Sequence, residues 1–256
     1  MRTAILLFAA LLTSARAAIV ERPLEYHASD VLGEGWQAYD DARPGQRPAV
    51  LVIHQWTGIS DHEKSAARKL AALGYNVLVA DIYGKGVRPQ PPEAGRVAGG
   101  YKADRALLRE RAKAALAVLA KDSRTAPGQL AAIGYCFGGT AVIELARSGA
   151  PLKAAVSFHG GLDSPSPADG RNIHARVLAL QGADDPFVPA ADIAAFEREM
   201  RDAKVDYRLI KYPGAVHSFT QREAGDDNRK GAAYNAAADK ASWSEMQAWL
   251  KASFGR

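Results

Sequence analysis

Short apolar runs alternate along the chain with stretches in which apolar residues recur every three or four positions. That alternation is the pattern of an α/β fold, a mostly parallel central sheet with helices on both faces. Runs rich in Val, Ile, Leu, Ala and Tyr predict strands over 49–54, 76–81, 130–135, 154–158, 177–181 and 207–212. Between the first two, Ser60 and Glu63 have the spacing of a capping box, Leu70 and Leu73 supply an apolar face, and Gly74 stands where a C′ glycine belongs. Leu108, Ala112, Ala115 and Leu119 mark a second helix, and Ile193, Phe196 and Met200 a third. A last helix carries Trp243, Met246, Trp249 and Leu250. The segment 88–100, with Pro89, Pro91 and Pro92, reads as an excursion between strand and helix. No repeat, linker or charge block interrupts the pattern, so one domain over 18–256 is the simplest organisation.

Residues 1–17 stand apart. Arg2 precedes the apolar stretch 4–12 and then Ala15-Arg16-Ala17, which together form the basic start, hydrophobic segment and small-x-small site of a secretory signal. The stretch is too short to span a bilayer. Cleavage after Ala17 would release an exported chain, periplasmic or secreted, with no stable membrane insertion. Composition sets further bounds: 48% hydrophobic and 24% charged residues suit a globular protein and exclude disorder, collagen and coiled coil. The net charge of +5 is spread thinly, with no basic run, so nucleic acid is not an expected partner. The single cysteine forbids an internal disulfide, and a lone thiol is unusual in an oxidising compartment.

The chemistry gathers at Gly134-Tyr135-Cys136-Phe137-Gly138-Gly139, between a predicted strand and the helical period through Val142, Leu145 and Ala146. This is a nucleophile elbow with sulfur in place of oxygen. A strand that turns abruptly into a helix leaves no room for side chains two positions either side of the turn residue, hence Gly134 and Gly138. A free cysteine is most often a small buried hydrophobe, but such glycines have no purpose in an ordinary core strand. At a helix start the free N–H groups and the dipole favour the thiolate, which is the working nucleophile.

A thiol nucleophile needs a base, and the base an orienting carboxylate, in the chain order nucleophile, acid, histidine. Adjacent Asp184 and Asp185 follow the strand ending at Gln181, and His217 lies in the loop after the next strand. His54 and His159 end strands on the same edge, and either could line the pocket. His27, His62 and His174 read as solvated side chains. There is no H-E-x-x-H and no second thiol at ligand spacing, so neither metal nor cofactor is called for.

These motifs, with Gly182 to Pro189 and Gly214 to Phe219, resemble the dienelactone hydrolases. The likeness runs from about Ala49 onward, and Val52-Ile53-His54-Gln55-Trp56-Thr57-Gly58 and Ala80-Asp81-Ile82-Tyr83 extend it. It implies an α/β-hydrolase fold and a triad of Cys136, His217 and Asp185. Asp185 is chosen over Asp184 by its place between Gly182 and Val188-Pro189. The resemblance also implies an oxyanion hole formed by the backbone N–H groups of Trp56 and Phe137.

Two departures bear on substrate. The family has a glutamate that engages the thiol, and this chain has Gln55 there, whose neutral amide cannot accept a proton. The two arginines that hold the carboxylate of dienelactone fall at Lys85 and Gln221, with Arg222 next door, and lysine lacks the bidentate fork. Gln55, Lys85, Arg222 and His159 are therefore the candidate substrate-binding residues. The reading is a monomeric exported hydrolase that opens a small ester or lactone through an acyl-enzyme. The alternatives are an exported binding protein that has lost catalysis, or a thioesterase, acyl transferase or cysteine peptidase on the same scaffold.

Overall fold

The computed structural model describes residues 18–255, and the expected leader over 1–17 lies outside the described residues. All six expected strands are present: β3 (Arg47–Ile53), β4 (Asn76–Ala80), β5 (Thr125–Tyr135), β6 (Ala154–Phe158), β7 (Arg176–Gly182) and β8 (Tyr207–Tyr212). Two more, β1 (Ile19–Ala28) and β2 (Val31–Asp40), form an antiparallel hairpin absent from the sequence expectation. Pro23, Gly33 and Gly35 break the strand signal there, and β1 is mostly solvated, so it lacks a continuous apolar run. The eight strands make one sheet in the order β1-β2-β4-β3-β5-β6-β7-β8, parallel from β4 to β8 and antiparallel where β2 joins β4.

The helices are α1 (Asp61–Ala72), α2 (Glu93–Ala103), α3 (Arg105–Lys121), α4 (Phe137–Arg147), α5 (Ala190–Asp202) and α6 (Ala236–Ser253). α2 corrects the reading of 88–100 as an irregular excursion. Pro92 stands at its N-cap, and Ala94 and Ala98 face inward, but Gly95, Gly99 and Gly100 dilute the helical signal. Ser60 and Glu63 close the expected capping box on α1, and Gly74 follows with φ of 93°.

Strands β3, β4 and β6 are buried along their whole length because both sheet faces are covered. On one face Leu51, Leu108, Val142 and Phe196 join a core supplied by α3, α4 and α5. On the other, Val50, Leu70, Leu178 and Leu250 pack with α1 and α6. Each such side chain contributes about 1.5–3 kcal/mol on burial. α4 is tied down further by Arg147, fully buried, whose guanidinium meets Glu144 at 2.8 Å and Glu199 of α5 at 2.6 Å. Among the described residues no helix is long and apolar enough to cross a membrane.

Candidate active site

The central strand β5 runs straight into α4, and the joint is Cys136, with φ 53° and ψ −116°. A non-glycine residue is strained there and persists only because its surroundings hold it. The flanking glycines show how tight the joint is. A Cβ on Gly134 would meet the Gly138 carbonyl oxygen at 2.1 Å, and one on Gly138 would meet that of Ile53 at 2.1 Å. The turn lifts the Cys136 side chain out of the sheet to partial exposure at the helix N-terminus.

His217 Nε2 lies 3.0 Å from Cys136 Sγ, and His217 Nδ1 lies 2.8 Å from Asp185 Oδ2. The remaining oxygen of Asp185 accepts from the Phe187 N–H at 2.8 Å, which fixes the carboxylate. Asp184 instead faces solvent and accepts from the Gly214 N–H, so geometry separates the two adjacent acids. The loop carrying His217 is held by residues far along the chain: its N–H donates to the Gly231 carbonyl, and its carbonyl accepts from the Ala233 N–H. Burial alone would lower the pKa of His217. Its hydrogen bonds to Asp185 and Cys136, with their negative charges, outweigh that and raise it to about 10.

His159 lies behind Cys136 and lines neither cavity at that thiol, against the expectation that it lines the pocket. It is fully buried, and its Nδ1 lies 3.1 Å from the Cys136 N–H, which also reaches the Phe158 carbonyl at 3.0 Å. Nδ1 must accept there, so the ring proton sits on Nε2 and is donated to Thr220 Oγ1 at 2.9 Å. Burial, then repulsion from His217 and His62, hold its pKa well below the ordinary value. His54 is likewise sealed under the sheet edge and accepts from the Ile82 N–H.

The loop after β3 passes beside Cys136. Its course is set by the Tyr83 hydroxyl, which donates to the Trp56 carbonyl at 3.0 Å, and by the fully buried Glu63, which accepts from the N–H groups of Gln55 and Ser60. The Phe137 N–H opens α4 next to the thiol. Gln55 is spent on an amide-to-amide hydrogen bond with Gln221.

Two cavities meet at Cys136 and His217, and both include Trp56 and Phe187. One, of about 650 Å³, continues along Gln221, Ala224, Lys230 and Ala232. The other, of about 380 Å³, runs between α2 and the start of α4, past Ala98, Lys102 and Thr140. Neither contains Lys85 or Arg222, which corrects both expectations. Lys85 is ion-paired to Glu25 and Glu34 on the β1–β2 hairpin. Arg222 turns into a separate cleft of about 220 Å³ with Lys69, Asp239 and His62. His62 is itself half-buried against Tyr135, not solvated, and burial pulls its pKa to about 4.

Lys102 and Glu63 escaped notice as site residues. The glycine-diluted helix hid the first, and the capping box gave the second an ordinary explanation. Among the described residues, no cluster of three or more His, Cys, Asp or Glu side chains could hold a metal ion.

The family model described as "Dienelactone hydrolase family" matches residues 36–254. A solved dienelactone hydrolase-like promiscuous phosphotriesterase from metagenomic libraries is 38% identical, with a TM-score of 0.87 over 92% of this chain and 98% of its own. A solved structure named m3DLH is also 38% identical, with a TM-score of 0.89 over 93% of this chain and 99% of its own. A Synechocystis sp. protein, whose name proposes a carboxymethylenebutenolidase, is 28% identical over 79% of this chain and 85% of its own.

Proposed function

The chain belongs to the dienelactone hydrolase family of α/β hydrolases, and from that premise we propose that it cleaves a small ester or lactone through a thioester formed on Cys136. The observation that carries this reading is the hydrogen-bonded line Cys136–His217–Asp185 beginning at a left-handed elbow residue.

The Cys136 thiolate attacks the carbonyl carbon, and the carbonyl oxygen becomes an oxyanion facing the Trp56 and Phe137 N–H groups. Collapse breaks the carbon–oxygen bond to the leaving group, which takes the proton from His217 Nε2. The acyl group stays on sulfur. Water then attacks the thioester while Nε2 takes its proton, and the second collapse expels the thiolate and releases the acid. Asp185 holds the ring so that Nε2 faces sulfur and stabilises its positive form.

The test is hydrolysis of p-nitrophenyl acetate, a dienelactone, a thioester and a neutral phosphotriester by wild type and Cys136→Ala. The expected result is ester or lactone turnover that falls by at least about 10³-fold in the variant, as for other lost nucleophiles, without unfolding the protein. Equal rates in the two proteins would remove Cys136 from the reaction.

A further inference from the structure

The proposed reaction uses neither nitrogen of His159, yet this side chain is costly to keep where it is. It directly follows β6 with φ of 41°, in the left-handed region that residues other than glycine rarely adopt. It is also wholly buried, at a depth where an apolar side chain would carry no desolvation cost. A polar ring on a strained backbone persists there because its surroundings hold it.

Its partners belong to the two halves of the site. Nδ1 accepts from the Cys136 N–H on the elbow, and Nε2 donates to Thr220 Oγ1, a buried hydroxyl three residues beyond His217. The backbone N–H of His159 donates to the Leu180 carbonyl of β7 at 2.8 Å, so the ring stands on the sheet itself. That ring meets His217 in a T-shaped contact, with centroids 5.2 Å apart, and Phe219 in another at 5.0 Å. Other hydrogen bonds of the His217 loop lead away from the elbow. The backbone of His217 pairs with Gly231 and Ala233, the Phe219 carbonyl accepts from the Asn235 N–H, and Gln221 meets Gln55.

We infer that His159 is a positioning residue: its ring ties Thr220 of the His217 loop to the backbone of Cys136 and so keeps His217 Nε2 in line with the sulfur. Both of its nitrogens are spent on these partners, so it acts through Cys136 and His217 rather than on the substrate. The inference rests on the hydrolytic reading for what this alignment serves.

The test cuts the tie from either end. Thr220→Val retains the shape and loses the hydroxyl. On p-nitrophenyl acetate its kcat should fall by about tenfold with KM within about twofold, because small displacements of reacting groups are costly. Thr220→Ser, which restores the hydroxyl, should recover most of the loss. His159→Asn offers the Cys136 N–H an acceptor and tolerates the left-handed backbone, but is too short to reach Thr220. It should match Thr220→Val, and the double variant should be no slower than either single one.

Alkylation reads the same alignment without turnover, since Cys136 is the single thiol. At about pH 6, below the titration of a free thiol at about 8.5, iodoacetamide should modify Thr220→Val in one phase about fivefold slower than wild type. A role in folding alone would leave the fast phase at its wild-type rate with a smaller amplitude, and that outcome overturns the proposal. Wild-type kcat and alkylation in both Thr220→Val and His159→Asn would also overturn it, with the hydrolase reading intact. If wild type cleaves no ester while alkylation slows as expected, His159 aligns the pair as inferred and the hydrolase reading fails.

Discussion

Two adjacent carboxylates, Asp184 and Asp185, show how much one residue's position decides. Asp185 is buried against His217, whereas Asp184 is solvated and touches only a loop N–H. Asp185→Asn should therefore cut kcat by about 10²-fold or more by losing the charge that steadies the imidazolium, while Asp184→Asn should stay within about twofold. Steady-state kinetics on one ester distinguishes them; equal losses would mean the acid has been misassigned. Much at this scale is legible in the bare sequence. Gly134, Cys136 and Gly138 announce the elbow because sterics force their spacing, and chain order singles out His217. The binding residues were not legible, because Lys85 and Arg222 sit beside the right motifs while their side chains depend on partners such as Glu25 and Glu34 on strands distant in sequence.

At the scale of elements, periodicity found every central strand and five helices, since those are buried on one or both faces. It missed β1 and β2, whose partners are each other and β4, and α2, whose glycines mute it. The buried ions of α4 were equally invisible. Arg147 joins Glu144 and Glu199 with no exposure of its own, so its loss strands Glu199 in the interior. Arg147→Met should destabilise the fold by about 3–5 kcal/mol, as for other broken buried pairs. Chemical denaturation would show this as a lower midpoint, and Glu199→Gln should recover part of it in the double variant. A midpoint unchanged in Arg147→Met would mean that α4 is held by packing alone.

For the whole molecule, the shifts of the buried histidines predict a loss of stability at both ends of the pH range. His217, with its pKa raised from 6.5 to about 10, contributes stability that is complete below about 6.5 and lost as pH rises through about 10. His54 and His62, each depressed to about 4 by burial, act in the opposite sense: their contribution is complete above about 6.5 and lost as pH falls through about 4. Melting temperature should thus be highest near neutrality. His217→Gln should flatten the alkaline decline and His62→Gln part of the acid one; profiles that match wild type would show that other groups govern these limits.

The N-terminal hairpin also has a consequence for the protein in crowded solution. Ten residues of β1 pair with β2 on one side, and among the described residues no strand pairs with the outer side, which leaves a long row of backbone donors and acceptors there. Such a row can recruit strands from other molecules. Pro23 interrupts the donors, and Glu21, Arg22 and Glu25 place charges along the same strand. The residues that hide this strand from sequence reading are thus the ones that resist its use as a template for fibrils. Pro23→Val should shorten the lag before light scattering rises in concentrated solutions, and an unaltered lag would show that the charges alone suffice.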